Sequence, residues 1–124
     1  MKKVIYTKNA PEPIGPYSQA IMVNDTLYAS GQIAINPETK EFVDGDINVQ
    51  TEQVCKNIKA LLEEAGMTFE NVVKTTCFLA YISDFANFNK IYGEYFISNP
   101  ARSCVAVKEL PKNALVEVEI IAVK

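Results

Sequence analysis

Arg102 is the only arginine of the chain, and it stands at the start of the apolar stretch Ser103-Cys104-Val105-Ala106-Val107. An arginine is always charged and presents a planar fork of donors, so its placement among apolar residues is costly unless a carboxylate meets it. That carboxylate could belong to a ligand or to the protein. The sequence therefore predicts a site for a small carboxylic acid at Arg102.

Two carboxylates interrupt the last apolar segment of the chain, at Glu117 and Glu119. The period of two places them on one side of a strand, and places Arg102 and Cys104 on one side of the strand before it. If these strands form a hairpin with its turn near Pro111, Glu117 or Glu119 approaches Arg102. Two interpretations remain open, a ligand site and a structural ion pair that joins the strand ends.

Three further positions could line a site. Tyr17 follows the rigid sequence Gly15-Pro16 at the predicted start of a strand, where a tyrosine is commonly a packed aromatic with its hydroxyl at the rim. Ser30 and Gly31 end the next predicted strand. A glycine inside a strand marks a simple β-bulge or the close approach of a ligand or another backbone.

The cysteines and the lack of histidine limit the chemistry. Cys104 could be a nucleophile only if Arg102 lowered its pKa, and with no histidine in the chain a thiol mechanism is disfavoured. Cys55 and Cys77 follow helix and strand periods and are interpreted as core residues. Asn89, among aromatics of a predicted helix, is either a ligand contact or a polar edge residue. Because the chain has no histidine, a general base would have to be a carboxylate or another residue type.

Composition narrows the classes of protein. The 124 residues predict one domain, 1–124, and their net charge of -3 with no basic cluster argues against a nucleic-acid partner. No apolar run is long enough to cross a bilayer, and no signal-peptide core follows Met1. Three widely spaced cysteines suit a reducing, cytoplasmic location rather than a disulfide framework or a metal site.

The elements that would position these residues follow from periodicity and turn signals. A helix is predicted over Asn48–Ala65, with Gly66 as its left-handed terminating residue, and a second helix follows Ser83-Asp84, which offer a cap and a first-turn acid. The predicted strands are Lys3–Thr7, Tyr17–Val23, Thr26–Ile33, a short Phe42-Val43, Val72–Tyr81, Ser103–Lys108 and Leu115–Lys124. This order predicts an α+β sandwich with two helices on one face of a mixed sheet.

The last strand is apolar on both sides. Val116, Val118, Ile120 and Ala122 alternate with Leu115, Ile121 and Val123, interrupted only by the two glutamates. Two helices can cover only one face of a sheet. A closed homo-oligomer that buries the other face is therefore predicted.

Taken together, the motifs resemble the RidA/YjgF family over essentially the whole chain. The segments that carry the resemblance are Gly15-Pro16-Tyr17-Ser18-Gln19-Ala20, Ser30-Gly31-Gln32, Val73-Lys74-Thr75-Thr76 with Phe78, Pro100-Ala101-Arg102-Ser103-Cys104-Val105 and Val116–Val123. One departure is Asn99, at a position that is usually aromatic in the family, which bears on the preference for substrate side chains.

The resemblance implies a homotrimer of chorismate-mutase-like subunits with a cleft at each subunit interface. It also implies hydrolysis of 2-imino acids and their 2-enamino tautomers, such as 2-iminobutanoate and 2-iminopropanoate, to 2-keto acids and ammonia, without a metal or other cofactor. Arg102 would bind the substrate carboxylate and Glu117 would position and deprotonate water. Tyr17, Ser30 and Asn89, with the backbone of Gly31 and Cys104, would line the cleft.

Two other functions are compatible with the same residues. A sensor of 2-keto acids could use Arg102 without turnover, although Glu117 would then place a negative charge beside an anionic ligand. A single-strand ribonuclease, an activity attached to some relatives, is opposed by the acidic charge and the lack of histidine.

Overall fold

A computed structural model describes all residues of the chain, 1–124. Six strands and two helices follow one another in the order β1 (Lys2–Ile5), β2 (Ala20–Val23), β3 (Thr26–Gln32), α1 (Ile47–Glu64), β4 (Val72–Leu79), α2 (Phe85–Tyr95), β5 (Ala101–Ala106) and β6 (Val116–Val123). Short 3₁₀ turns occupy Phe69–Asn71, Ile82–Asp84 and Pro111–Asn113. The prediction of an α+β fold is confirmed.

The strands form one mixed sheet in the order β1-β2-β3-β6-β4-β5. All neighbours are antiparallel except β4 and β5, which are parallel. The last two strands do not form the hairpin that would bring a glutamate to Arg102, because β4 lies between β5 and β6. A helical crossover through α2 joins β4 to β5, which is the connection that a parallel pair requires.

Helix α1 forms where its apolar period predicts, beginning at Ile47 rather than Asn48. The carboxylate of Asp46 accepts a hydrogen bond from the backbone N–H of Val49 at 2.9 Å and caps the first turn. Gly66 has a φ of +73°, which confirms its predicted role after the last turn. The apolar stripe of Val54, Ile58 and Leu61 is fully buried against the sheet.

Helix α2 packs beside α1 through its aromatic side. Phe88 and Phe96 are buried, and the ring of Tyr92 stacks on that of Phe96 at a centroid distance of 4.3 Å. Asp84 takes the position before the helix, but its side chain makes no capping hydrogen bond. The prediction is therefore wrong by one residue, because Ser83, the predicted cap, lies within the turn Ile82–Asp84, and Asp84, the predicted first-turn acid, precedes the helix.

The two faces of the sheet differ sharply. On the helix-covered face, Val116, Val118 and Ile120 of β6 belong to one continuous core of 25 buried residues. On the other face, Val4 and Tyr28 remain half-exposed or more. The prediction that β6 is apolar on both sides and that the second face is uncovered within one subunit is confirmed. Neither helix is both long and apolar enough to cross a membrane.

Two smaller predictions need correction. Tyr17 lies outside the sheet, because β2 begins only at Ala20. Phe42 forms a single isolated bridge with Ile35 instead of a strand, and Val43 takes no part in it.

Candidate functional site: an arginine clamp and an acidic pocket

Arg102 is half-buried on edge strand β5, where its side chain turns towards α2. Its guanidinium Nη1 donates a hydrogen bond to Oδ1 of Asn89 at 2.7 Å. The guanidinium carbon lies 4.9 Å from the ring centroid of Tyr92 and 5.4 Å from that of Phe85, distances at which cation–π attraction operates. The guanidinium is therefore held in place by one amide and two rings, and no acidic side chain of the chain pairs with it.

Tyr92 is itself fixed from below. Its hydroxyl shares a 2.8 Å hydrogen bond with the hydroxyl of Thr75, which is fully buried on β4 directly beside Arg102. The ring that supports the guanidinium thus belongs to a rigid part of the core. The predicted candidate Asn89 is brought to Arg102, whereas the structural ion pair with Glu117 or Glu119 is wrong.

Cys104 lies two residues further along β5, on the same side as Arg102. Burial raises the pKa of its thiol, and the neighbouring guanidinium lowers it by less. The thiol therefore stays protonated near neutral pH, which argues against a nucleophilic role. Cys55 and Cys77 are buried in the core, as predicted, and burial raises the pKa of Cys77 to about 12.

Glu117 lies on the open face of the sheet, folded over Gly31 of β3. A methyl group built on Gly31 would lie 2.2 Å from the carboxylate oxygen Oε2 of Glu117, far inside contact distance. The register between β3 and β6 shifts between Ala29 and Gln32, so Gly31 also sits in a β-bulge. The β-bulge interpretation of this glycine is confirmed, whereas the group that approaches it closely is the side chain of Glu117 rather than a ligand or another backbone.

Partial burial gives Glu117 an unusual acidity. Desolvation, and to a smaller degree the charge of Glu119, raises the pKa of the Glu117 carboxyl above its ordinary value. A carboxylate with a raised pKa is a stronger base than one in water. Glu117 is therefore suited to accept a proton from a water molecule.

Glu117 lines a cavity of about 460 Å³ on the open face. Its walls come from the loop before β2, the bulge of β3, the segment after β3 and the first half of β6. The lining residues are Pro11, Glu12, Ile14, Tyr17, Gln19, Ser30, Gly31, Gln32, Ile33, Ile35, Pro111, Glu117 and Glu119. We call this cavity the acidic pocket.

Predicted candidates Tyr17 and Ser30 both line the acidic pocket. The hydroxyl of Ser30 donates to the backbone oxygen of Ser18 at 2.6 Å, tying β3 to the chain before β2. Tyr17 is half-exposed, and its hydroxyl accepts a long 3.4 Å hydrogen bond from the backbone N–H of Ile14. The rim position predicted for this tyrosine is confirmed.

The loop that forms one wall of the pocket is organised by Gln19, a residue that sequence reasoning did not single out. Gln19 is buried, its Oε1 accepts from the Thr7 N–H at 2.8 Å, and its Nε2 donates to the carbonyls of Thr7, Ala10 and Pro11. Proline-rich loops offer few backbone donors. A glutamine directly after such a loop is the signal that could have revealed this role.

The arginine clamp and the acidic pocket lie on opposite faces of the same sheet. Arg102 pairs with buried Thr75 and so points to the helix side, whereas Glu117 pairs with Phe78 and points to the open side. The two paired positions are three residues apart along β4, about 10 Å. One subunit therefore carries both groups that the sequence predicted, but does not bring them together.

The fold and the site together define a class of protein: a small α+β subunit that holds a positioned cation on one face of its sheet and a carboxylate pocket on the other. Residues 7–124 match the family model described as Endoribonuclease L-PSP. The chain is 54% identical to RutC family protein PH0854 of Pyrococcus horikoshii, with 100% of this chain and 99% of the relative covered.

Solved structures agree over the whole length. YyfA of Yersinia pestis, described as a protein of unknown function of the conserved Rid family, is 56% identical, with a TM-score of 0.97 and 100% of both chains covered. Escherichia coli TdcF with bound serine is 37% identical, with a TM-score of 0.93 and 98% of both chains covered. The chain therefore belongs to the RidA/YjgF family.

Proposed function

We propose that this protein hydrolyses 2-imino acids, together with their 2-enamino tautomers, to 2-keto acids and ammonia. The observation that carries the proposal is the guanidinium of Arg102, which Asn89 and two rings position while no acidic side chain of the chain neutralises it. A guanidinium of this kind binds a substrate carboxylate through two charge-assisted hydrogen bonds. Arg102 therefore orients the substrate and does not itself transfer a proton.

Glu117 supplies the base in this scheme. As water attacks the carbon of the protonated C=N bond, one water proton passes to the Glu117 carboxylate, and Glu117 then gives that proton to the nitrogen of the carbinolamine, which becomes an ammonium group. Glu117, ionised again, accepts the proton of the carbinolamine hydroxyl as the C–N bond breaks and its electron pair leaves with nitrogen. This step yields the 2-keto acid and ammonia, and Glu117 passes the remaining proton to solvent. The raised pKa of Glu117 supports both halves of this proton exchange.

Assembly of subunits completes the site. Because the clamp and the acidic pocket lie on opposite faces of one sheet, the clamp of one subunit must meet the pocket of the next. Head-to-tail contacts of this kind form closed rings when the rotation closes. The half-exposed apolar side chains of the open face, including Val4 and Tyr28, support burial in that contact. We propose a homotrimer with three shared sites.

Two findings bear on the alternatives. TdcF, a solved relative, was crystallised with serine, a small molecule with the carboxylate that the clamp suits. The name Endoribonuclease L-PSP suggests RNA as a substrate, but the net charge of -3 and the acidic lining of the pocket would repel a phosphate backbone.

The test couples this protein to a pyridoxal-phosphate dehydratase acting on threonine or serine, with semicarbazide competing for the free imine. We expect the protein to speed keto-acid formation, and Arg102→Ala to abolish the effect. Circular dichroism and light scattering on Arg102→Ala establish that the variant stays folded and assembled. Lys56→Ala removes an exposed cation from α1, outside the clamp, the pocket and the open face, and serves as the matched control.

Failure has two distinct forms. No acceleration by a folded protein that still binds 2-ketobutanoate would replace the enzyme with a keto-acid sensor. An unfolded Arg102→Ala variant would assign Arg102 a structural role, in which case Arg102→Lys, which keeps the charge but not the fork, tests the clamp.

A further inference from the structure

The acidic pocket has two kinds of wall, and the difference bears on which substrates fit. Ile33 and Ile35, both half-buried, and Ile14 present apolar surface. Glu12, whose carboxylate accepts a hydrogen bond from the Tyr6 hydroxyl, and Glu119 are exposed residues that line the same pocket as Glu117. A substrate held by its carboxylate at the clamp and by its imine carbon at Glu117 would extend its side chain into this pocket.

Segment 33–35, which carries part of the apolar wall, is held from the core. Nδ2 of Asn57, buried on α1, donates to the carbonyl oxygens of Ile33 and Ile35 at 3.3 and 2.9 Å. The two isoleucines therefore keep their place on the pocket side. A fixed apolar wall favours an aliphatic or aromatic side chain by removing it from water.

The carboxylates of the pocket disfavour a substrate side chain that carries a negative charge. Pocket residues Glu12, Glu117 and Glu119 are all carboxylates, and lysine and arginine are missing from the lining. Glu119 lies two residues from Glu117 on the same side of β6, and its charge contributes to the raised pKa of Glu117, so negative charge is concentrated on this wall of the pocket. The clamp that the proposed assembly brings to this pocket is occupied by the first carboxylate of the substrate, so a second carboxylate on the side chain would face the glutamates of the lining.

We propose that the acidic pocket makes this protein selective for 2-imino acids with uncharged side chains and excludes those derived from dicarboxylic amino acids. Glu12 and Glu119 are the specificity-determining residues, and they act by repulsion. This selectivity rests on the proposed deaminase function. It concerns the pocket alone, because the clamp binds the carboxylate that all 2-imino acids share.

The experiment compares two imines of similar length that differ in charge. Flavin oxidases acting on D-methionine and on D-glutamate generate the imines in place, and semicarbazide traps what remains free. The measured quantity is the rate of imine loss per concentration of this protein. We expect the methionine-derived imine to be preferred by about tenfold or more.

Charge-only variants test the cause. In Glu12→Gln and Glu119→Gln proteins, we expect the preference to narrow by several-fold, mostly through faster loss of the glutamate-derived imine. A change in the basicity of Glu117 would alter the rates for both imines alike, so the ratio of the two rates does not depend on it. Glu64→Gln, an exposed glutamate on α1 outside the pocket, should leave the ratio unchanged.

Each remaining outcome is decisive. Equal rates for both imines would overturn the selectivity and leave the deaminase function standing. A preference that survives in both of these charge-only variants would overturn repulsion by Glu12 and Glu119 as its cause. Acceleration of neither imine by the folded protein would refute the deaminase function itself, and the selectivity with it.

Discussion

At the scale of single residues, two unfavourable placements stand out. Arg102 is a half-buried cation without a carboxylate partner, and Glu117 is a partly buried carboxylate whose charge is opposed by Glu119. Each costs stability in the isolated subunit, because charges lose hydration when they are buried. Placements of this kind concentrate where a protein binds or transforms a ligand.

The raised pKa of Glu117 has consequences for both activity and stability. The proposed activity requires the ionised carboxylate, so we expect the rate to fall as the pH falls through a pKa above the usual value of about 4.3. The folded protein binds this proton more tightly than the unfolded chain does. The contribution of Glu117 to stability is therefore lost as pH rises from the ordinary pKa to the raised one.

We accordingly expect Glu117→Gln to reduce turnover by about 10²- to 10⁴-fold while it increases thermal stability at pH 7. The difference in stability between Glu117→Gln and the wild type should vanish below the ordinary pKa of glutamate, where Glu117 is protonated in both the folded and the unfolded chain. Glu119→Gln should move the acidic limb of the rate profile to lower pH, since it removes one cause of the raised pKa. Rate profiles and melting curves from pH 4 to 8 check this. Unchanged turnover in Glu117→Gln would remove Glu117 from the mechanism.

Much of the site was predictable from residue types alone. A single arginine in an apolar strand, a glycine inside a strand and a glutamate between apolar residues each indicated a function, and all three lie at the clamp or the pocket. Gln19 and Gln32 were not assigned to the site, and Glu119 was considered only as a neighbour of Arg102. Their roles depend on a loop and a bulge that bring distant segments together, and periodicity does not report such contacts.

At the scale of elements, local patterns predicted α1 and the strand content well, but not the pairing of β5. Strands β5 and β6 are consecutive in sequence, and consecutive strands commonly pair with each other as a hairpin. In the structure β5 instead pairs in parallel with β4 at the edge of the sheet, and α2, which connects these two strands, packs on α1. This pairing separates Arg102 from Glu117 and so changes the interpretation of the whole site.

The loop before β2 depends on one side chain. We expect Gln19→Leu to reduce the free energy of unfolding by about 1–3 kcal/mol, because it leaves buried backbone groups of Thr7, Ala10 and Pro11 unpaired. The displaced loop should also weaken substrate binding and raise KM. Denaturant unfolding and steady-state kinetics measure the two effects.

Asn71→Leu is the control for this prediction. Asn71 also organises a turn, accepting from the Thr68 N–H and donating to the Val123 carbonyl at the far end of β6. The Asn71→Leu substitution should lower the free energy of unfolding without altering KM. A Gln19→Leu protein with normal KM would show that the loop does not shape the pocket.

At the scale of the whole molecule, the sheet has one covered face and one open face, and each face carries half of the proposed site. An isolated subunit therefore has a cation that lacks a carboxylate and a base that lacks a bound substrate. In the proposed homotrimer, a head-to-tail contact would bring the cation and the base to one shared site and bury the open apolar face in the same contact. The proposed homotrimer and the proposed chemistry thus both depend on the placement of the clamp and the pocket on opposite faces of one sheet.

The most direct test of this account mixes two inactive variants. Arg102→Ala and Glu117→Gln chains are unfolded together in equal amounts, refolded, and assayed for acceleration of keto-acid formation. If the clamp and the pocket of each site come from different subunits, random assembly pairs an intact clamp with an intact pocket at about a quarter of the sites. We predict recovery of about a quarter of the wild-type activity, whereas each variant refolded alone stays inactive. No recovery in mixed assemblies, confirmed as mixed by mass, would contradict a site shared between subunits.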